Sequence, residues 1–347
     1  MINNIKDTLK ELCALRGVSG SEDEVREYIL SCTKHHADEV ITDVMGNVIV
    51  YKKGAKSPAK RLVLCAHMDE VGVIITGITD DGYLRFAMGG SIDSRVVVGK
   101  TVIIGKHRVL GVIGSKAIHL VKTADREKPV ETDDMYIDIG AKSREEAEKQ
   151  VSLGDAGAFD EEIREFGDGY IKAKAIDDRF GCAVLLELIQ SDLPIDCLFA
   201  LTAQEEVGMR GAYTAAYRAA PDIALIVEGT TAADLPSSPE SKKICKVGGG
   251  AVIPFMDNAT IYNKEIRDIL IGVAEKNDIP WQTKTYITGE TDGAAFQRTR
   301  SGIKTAGIAA PIRNLHSPSC VGKYSDMEAV YKLATLFLEA LGEERLN

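Results

Sequence analysis

The sequence predicts an α/β fold, a mainly parallel mixed sheet flanked by helices, with a small β-rich domain inserted into it. Three observations lead to this prediction. Apolar runs alternate with segments of helical periodicity up to residue 70, and again from residue 166 onward. Residues 71–165 instead contain closely spaced strand-like runs. Alternating strands and helices are typical of a parallel sheet covered by helices, whereas closely spaced short strands are typical of a barrel or sandwich.

We therefore divide the chain into a main domain, residues 1–70 plus 166–347, and an inserted domain, residues 71–165. In the main domain, "RLVLCAH", "DCLFALTA" and "IALIVE" are strand candidates, and "DRFGCAVLLELIQ" and "DMEAVYKLATLFLEAL" have helical spacing. In the inserted domain, "VGVIITGITDDGYLRFAMGG" predicts a hairpin about Asp81-Gly82. Near the amino terminus, Ser21 and Glu24 predict a capping box that opens the second helix.

Composition and charge exclude several classes of function. The 347 residues are 45% hydrophobic and 27% charged, which is ordinary for a globular protein. The formal net charge of −10 argues against nucleic acid as a main partner, because phosphate binding needs a basic surface. No run of 18 apolar residues occurs, so we expect no membrane span. Seven scattered cysteines without a CxxC pair predict free thiols and a cytoplasmic location.

Ionisable residues stand at the ends of several predicted strands or shortly after them. In open α/β sheets, ligands bind just outside the carboxyl ends of the strands, so separate stretches would deliver these side chains to one edge. Imidazole and carboxylate ligands together suit zinc, and also cobalt or manganese. One bridging carboxylate with two further ligands per ion would hold two metals about 3.5–4 Å apart. The residues are His67, Asp177, Asp178, Glu205, Glu206, Glu228 and His316.

Each of these residues, taken alone, also fits an ordinary structural role. His67 alone would fit a histidine of the core or of a cleft, and His316 would fit a loop residue. Asp177 or Asp178 would cap the following helix, and Glu206 would lie favourably near a helix N-terminus. All of these roles would have to coincide at one edge of the sheet, whereas a single metal site accounts for the whole set.

The adjacent pair Glu205 and Glu206 raises a second possibility, because paired carboxylates also hydrolyse glycosides. That mechanism needs its two carboxylates on opposite sides of the sugar bond. Adjacent residues are poorly placed to flank one bond. They better fit a divided role, in which one carboxylate binds a metal and its neighbour is free for proton transfer.

Six motifs follow one another along the chain: "AHMDEVG", "AIDDRFG", "TAQEEVGMRGA", "VEGTTAADLP", "GETDGAAF" and "RNLHSP". Together they resemble the TET-type aminopeptidases, dinuclear metallopeptidases often labelled glutamyl or deblocking aminopeptidases and sometimes cellulases or endoglucanases. The resemblance spans nearly the whole chain. It implies a zinc-aminopeptidase-like main domain and an inserted β-barrel or PDZ-like domain that mediates oligomerisation. It also implies a homo-oligomer, commonly a tetrahedral dodecamer built from dimers.

The resemblance further implies a ligand set for two divalent metal ions per subunit, zinc or cobalt. His67 and Glu228 would hold one ion. Glu206 and His316 would hold the other, and Asp177 would bridge the two. Many members of that family have Asp at the position of Glu228, a difference that bears on metal preference.

For the reaction, the resemblance implies that Glu205 is the general base and that Asp69 orients His67. The expected activity is hydrolysis of N-terminal residues from peptides that have a free N-terminus. The family commonly has a Glu at position 319 or 320, where this chain has Ser319 and Cys320. A glycosidase, or a metal-binding oligomeric scaffold without catalytic activity, is the alternative.

Overall fold

The structure, a computed structural model, describes residues 2–343 of the chain. Its helices are α1 (Ile2–Ala14), α2 (Asp23–Thr33), α3 (Arg144–Glu148), α4 (Ile176–Gln190), α5 (Arg210–Ala219), α6 (Lys264–Lys276), α7 (Gly293–Arg298) and α8 (Tyr324–Glu343). Its strands are β1 (Glu39–Thr42), β2 (Val48–Lys52), β3 (Leu62–His67), β4 (Gly72–Ile78), β5 (Leu84–Gly89), β6 (Thr101–Ile104), β7 (Val109–Ser115), β8 (Met135–Asp138), β9 (Ala156–Phe159), β10 (Arg164–Phe166), β11 (Tyr170–Ala173), β12 (Cys197–Thr202), β13 (Ile223–Thr231), β14 (Ala251–Val252), β15 (Trp281–Gln282), β16 (Lys304–Ile312) and β17 (Cys320–Lys323). Among the described residues, no helix combines the length and the apolar character that crossing a membrane requires.

The largest sheet has eight strands in the order β1-β2-β12-β3-β13-β16-β14-β15. Its four central strands, β12, β3, β13 and β16, are parallel, whereas β2 and β14 join them antiparallel. Leu62 and Leu64 of β3 pack in one apolar core with α1, α4 and α8, and Val63 and Cys65 pack in another with α5 and α7. Because both faces are covered, every residue of β3 is buried. The predicted mixed α/β sheet is confirmed.

Six strands of the inserted region close into a barrel in the order β4-β5-β8-β7-β6-β9. All of its strand pairs are antiparallel, and its core is apolar and separate from the cores of the main sheet. The predicted hairpin is formed by β4 and β5, and Gly82 in its turn has φ +86°, a conformation that glycine adopts without strain. The prediction of a small β-barrel is therefore confirmed.

A third sheet joins β10, β11 and β17, all antiparallel. Strand β10 spans the predicted boundary, with Arg164 and Glu165 in the predicted insertion and Phe166 in the predicted main domain. Strands β11 and β17 belong to the predicted main domain. Strand pairing thus continues across the predicted boundary at residue 165. The division of the chain into two domains at residues 70 and 165 stays a prediction.

The capping box predicted at Ser21 and Glu24 is wrong. Helix α2 follows Glu22, whose side chain makes no capping hydrogen bond to the helix. Glu24 instead accepts hydrogen bonds from the backbone N–H and the guanidinium of Arg16, at 3.0 Å each. A charge-assisted bond to a guanidinium is stronger than a bond to a neutral backbone N–H, so the carboxylate turns away from the helix end.

Candidate metal centre

The five residues predicted as metal ligands converge at the carboxyl edge of the main sheet. Four of them come from adjacent parallel strands: Glu206 follows β12, His67 ends β3, Glu228 lies in β13 and His316 follows β16. The fifth, Asp177, arrives from the first turn of α4, and the strand before it, β11, belongs to the small third sheet. The carboxyl ends of neighbouring parallel strands meet at one edge, which is why residues far apart in sequence share one site.

One group of three residues centres on His67. Its Nε2 lies 3.4 Å from Glu228 Oε1 and 3.5 Å from Asp177 Oδ1. All three residues are buried, and their three ligand atoms lie within 4.8 Å of one another. Asp177 Oδ1 has no hydrogen-bond partner among the described residues. We name these residues the strand set, because His67 and Glu228 belong to strands.

A second group centres on His316 and shares Asp177 with the first. His316 Nε2 lies 3.2 Å from Glu206 Oε2 and 3.4 Å from Asp177 Oδ2, and the three ligand atoms again lie within 4.8 Å. His316 Nδ1 lies 3.2 Å from the carbonyl oxygen of Ser91. Since a carbonyl can only accept, Nδ1 of the neutral ring carries the proton and Nε2 presents its lone pair. We name Glu206, His316 and Asp177 the loop set.

The residues of both sets fit divalent metal ions. Each set offers one imidazole and two carboxylates, which are ligands typical of zinc and of related metals. Burial raises the pKa of Glu206 to about 7 and the pKa of Glu228 to about 8. Burial also acts to raise the pKa of Asp177, but the neighbouring imidazoles of His316 and His67 outweigh it and hold that pKa below its usual range. Buried carboxylates this close need a proton or a cation between them.

Asp69 lies behind His67 and joins two segments of the site. Its Oδ1 is 3.4 Å from His67 Nδ1, an ion-pair distance without hydrogen-bond geometry. The Asp69 carboxylate accepts hydrogen bonds from the backbone N–H groups of Glu205 and Glu206 at 2.9 and 3.2 Å. It also accepts one from the hydroxyl of Ser19 at 2.6 Å. Asp69 therefore connects the end of β3 to the turn that carries Glu205 and Glu206.

Glu205 lines the same cleft as both sets but belongs to neither of them. Burial raises the pKa of Glu205 well above its usual range, although the nearby His67 acts in the opposite direction. A carboxylate that belongs to neither ligand set is free to accept a proton and to return it. This is the chemistry that a general base requires.

The cleft has a volume of about 540 Å³ and is formed by the main sheet and the barrel together. Ser91 and Asp93, which follow the barrel strand β5, line one side, and residues 288–291 line another. Lys284 is the one lysine or arginine among the described residues that line the cleft, and its side chain is buried. Carboxylates therefore outnumber basic side chains around the site.

No role is predicted from the sequence for two residues near the site, Asp292 and Ser91. Asp292, in the motif "GETDGAAF", is buried, and its Oδ2 accepts hydrogen bonds from the Thr202 hydroxyl and the Cys65 thiol. Burial raises the pKa of Asp292 to about 6. A lone Asp in a loop motif could be noticed but not placed. Ser91 acts through its backbone carbonyl, which has no sequence signature.

The geometry agrees with comparisons to known proteins. The model of the M42 glutamyl aminopeptidase family matches residues 46–333 of this chain. The chain belongs to this family. The recognition made from the six motifs is thus confirmed, and the protein is a metallopeptidase of the aminopeptidase type.

Relatives of this M42 peptidase match it over almost their full length. The lysyl aminopeptidase of Pyrococcus furiosus is 30% identical over 344 residues, which cover 96% of this chain and 97% of that protein. The TET aminopeptidase of a marine sediment archaeon of the Thaumarchaeota has a TM-score of 0.92 at 33% identity, covering 98% and 99%. The TET1 peptidase of Pyrococcus horikoshii, which can assemble into a tetrahedron or a large octahedral shell, has a TM-score of 0.84 at 35% identity, covering 96% and 98%.

Proposed function

We propose that this M42 enzyme is a dinuclear metal-dependent aminopeptidase that hydrolyses N-terminal residues from peptides with a free N-terminus. The observation that carries the proposal is the pair of ligand sets that share one carboxylate, Asp177, with Glu205 beside both. A lone metal site would not need a second imidazole on the far side of Asp177. A scaffold without activity would not need a carboxylate beside the ligands that binds neither ion.

The strand set, His67, Glu228 and Asp177, would hold one ion, and the loop set, Glu206, His316 and Asp177, would hold the other. Zinc or cobalt suits these donors. When bound, two such ions supply Lewis-acid chemistry that polarises a carbonyl and lowers the pKa of a water. The two oxygens of Asp177 face different histidines, as a bridging carboxylate requires.

Glu205 carries the proton transfers in this proposal. It takes a proton from the water that attacks the scissile carbonyl carbon, and it delivers that proton to the leaving amine as the C–N bond breaks. Asp69 holds the backbone of Glu205 by a hydrogen bond of 2.9 Å. In this proposal, Asp69 positions Glu205 and Glu205 transfers the proton.

We further propose that the protein is a homo-oligomer, a tetrahedral dodecamer built from dimers, in which the barrel acts as a PDZ-like oligomerisation domain. The assemblies of the Pyrococcus horikoshii TET1 peptidase support this proposal by analogy. Four aliphatic side chains of β7 and the turn after it are 43–64% exposed, an apolar surface that a partner subunit would cover. They are Leu110, Val112, Ile118 and Leu120. Light scattering in solution would give the mass of the assembly.

A cytoplasmic location remains part of the proposal. The seven cysteines are all free, and six of them are buried. Free thiols persist in a reducing compartment, where disulfide bonds are rare.

The test of the function is digestion of one peptide library, with free and with acetylated N-termini, followed by mass spectrometry. Protein loaded with zinc or cobalt should trim only the free peptides, one residue at a time, and a chelator should stop the trimming. Trimming of acetylated peptides would instead indicate a deblocking activity. Cleavage of cello-oligosaccharides that survives the chelator, without peptide trimming, would replace the proposal by the glycosidase alternative.

A further inference from the structure

Four consecutive backbone N–H groups after β12 donate to buried side chains from other parts of the chain. Strand β12 ends at Thr202, so these N–H groups lie beyond the hydrogen-bond ladder of the sheet and need other acceptors. We name residues 203–206 the catalytic turn, because they include Glu205 and Glu206. The donors and acceptors are Ala203 to Asn47 at 2.9 Å, Gln204 to Glu22 at 3.2 Å, Glu205 to Asp69 at 2.9 Å and Glu206 to Asp69 at 3.2 Å.

We propose that Glu22 is a positioning residue for the aminopeptidase reaction. Its carboxylate holds the backbone of the catalytic turn and thereby fixes where the side chain of Glu205 lies. The inference rests on the proposed function, since it takes Glu205 as the base. Neither the six motifs nor the ligand sets include Glu22, which precedes α2 in the loop that follows α1.

The surroundings of Glu22 indicate a role beyond folding alone. Glu22 is 3% exposed. Its Oε1 accepts hydrogen bonds from the backbone N–H groups of Gly20 and Gln204 at 2.6 and 3.2 Å. Within residues 2–343, no basic side chain forms an ion pair with it, and burial raises the pKa of this carboxyl. A buried carboxylate without a cation costs free energy, which hydrogen bonds to backbone N–H groups such as these offset.

The backbone of Gln204 explains why the turn needs such a support. Its φ of +58° lies in the left-handed region, which costs a residue with a side chain about 1–2 kcal/mol. A strained conformation of this kind persists only where the surrounding structure holds it. Glu22 holds the N–H of Gln204, and Asp69 holds the next two N–H groups, so the strained residue is fixed from both ends.

The same loop reaches the site a second time. The hydroxyl of Ser19 donates to Asp69 at 2.6 Å, and the N–H of Ser19 donates to the carbonyl of Glu70 at 3.3 Å. The loop therefore supplies one acceptor of the catalytic turn, Glu22, and contacts a second acceptor, Asp69. A displacement of about 1 Å at a reacting group can cost about 100-fold in rate, so a remote support of this kind has a large effect on turnover.

Asp326 provides a matched control. It is 1% exposed, and its carboxylate also accepts two backbone N–H groups, from Gly248 at 2.6 Å and Gly250 at 2.8 Å. It does not line the cleft. Asp326→Ala therefore removes a comparable buried carboxylate without disturbing the catalytic turn.

The experiment compares Glu22→Ala, Glu22→Gln and Asp326→Ala as full-length, zinc-loaded protein, by kcat, KM, bound metal and melting temperature. Glu22→Ala should lower kcat about 10- to 100-fold with KM within about twofold and both ions retained. Glu22→Gln should recover kcat to within about threefold of the wild type, because the amide oxygen reaches the same two N–H groups. Asp326→Ala should lower the melting temperature and leave kcat within about twofold.

Equal losses of kcat in Glu22→Ala and Glu22→Gln, or a kcat of Glu22→Ala within twofold of the wild type, would overturn the proposal. If Glu22→Ala does not fold, Glu22→Asp replaces it. The shorter side chain still reaches Gly20 but not Gln204, and at least a fivefold loss of kcat is expected. Absence of peptide hydrolysis by the wild type would count against the proposed function itself. If the wild type is active, Glu205→Gln is inactive and Glu22→Ala keeps a normal kcat, the result would count against the role of Glu22 alone.

Discussion

The two ligand sets share Asp177 but are held by different kinds of structure. In the strand set, His67 and Glu228 belong to β3 and β13, adjacent parallel strands, and their side chains are 2% and 9% exposed. In the loop set, Glu206 and His316 lie in loops after their strands, and the side chain of His316 is 30% exposed. The histidine and glutamate of the strand set therefore lie in the sheet, whereas those of the loop set lie in loops that follow its strands.

This difference predicts unequal affinities for the two ions. Donors fixed by sheet hydrogen bonds lose little conformational freedom on binding, whereas donors on loops lose more. Solvent also screens the electrostatic interactions of His316, whose side chain is 30% exposed, more than those of the buried His67. We therefore expect the strand set to bind its ion more tightly and the loop set to release its ion first.

Glu205 belongs to neither set, so its replacement should separate catalysis from metal binding. Glu205→Gln should lower kcat about 10²- to 10⁴-fold, the usual contribution of a general base, while both ions stay bound. Steady-state kinetics and metal analysis of the same sample check this. The control is Glu290→Gln, which makes the same substitution at an exposed carboxyl that also lines the cleft, and it should keep its kcat. A kcat of Glu205→Gln within tenfold of the wild type would show that another group is the base.

Removal of one histidine from each set tests the comparison directly. His316→Ala should leave one ion per subunit, bound as tightly as in the wild type. His67→Ala should weaken binding more severely, because it leaves two buried carboxylates, Glu228 and Asp177, with one fewer partner. Metal content after dialysis against a graded chelator measures both variants. His107→Ala, an exposed position in the barrel, should behave as the wild type. If both ions leave the wild type in one step, the sets do not differ as proposed.

The sequence predicts the five ligands because polar residues that end apolar strands are rare in a core. His67 ends β3, and Glu228 ends the aliphatic run of β13, which continues to Thr231; the structure places the two side chains together. Asp177 follows the same pattern for a different reason, since β11 lies outside the main sheet and α4 delivers the residue. The position of Asp177 beside the other predicted ligands therefore follows from its motif more than from its strand, and its role as a ligand stays a prediction.

The supports of the site could not be predicted in the same way. Glu22 and Asn47 act as acceptors for backbone N–H groups more than 150 residues away, and such contacts leave no periodicity or spacing. Glu24 illustrates the opposite error, a local pattern that the fold does not use. Its spacing from Ser21 matches a capping box, but its carboxylate binds Arg16 instead. Local patterns describe helices and strands well, whereas long-range polar contacts depend on the assembled fold.

Removal of the metals should make stability depend on pH. Burial raises the pKa of Glu206 to about 7 and of Glu228 to about 8, from 4.5. Burial acts to lower the pKa of His316, but the adjacent carboxylates of Asp177 and Glu206 outweigh it and raise that pKa from 6.5 to about 9. Each raised pKa means that the folded chain keeps a proton that the unfolded chain releases, so this stability is present at low pH and lost as pH rises.

For the chelated protein, the free energy of unfolding should therefore fall between about pH 4.5 and 9, by about 1.4 kcal/mol per pH unit for each retained proton. With metal bound, the ions replace these protons and the curve should be flatter. Urea unfolding at several pH values, with zinc and with chelator, checks this. If the free energy of unfolding depends on pH in the same way with zinc and with chelator, the residues of the two ligand sets do not exchange protons for metal.

Shortening one carboxylate in each set is the finest test of the comparison. Glu228→Asp withdraws the carboxylate from a site where Glu228 Oε1 lies 3.4 Å from His67 Nε2. Strand β13 is paired with β16 along its whole length and with β3 as far as Ile226, which restricts any advance of its backbone that would restore the distance. The affinity of the strand set should fall about tenfold, which corresponds to about 1.4 kcal/mol.

The matched change in the loop set is Glu206→Asp, and it should cost less, about threefold or below. The backbone of the catalytic turn is held by hydrogen bonds to single side chains, whereas β13 is held by a continuous strand ladder, so we expect the turn to adjust more readily. Titration of each variant with zinc against a chromophoric chelator gives both affinities. If Glu206→Asp costs more than Glu228→Asp, the hydrogen bonds from Asp69 and Glu22 hold the turn as firmly as the sheet holds β13. Solvent exposure of His316, and not mobility of its set, would then be the cause of any difference between the two ions.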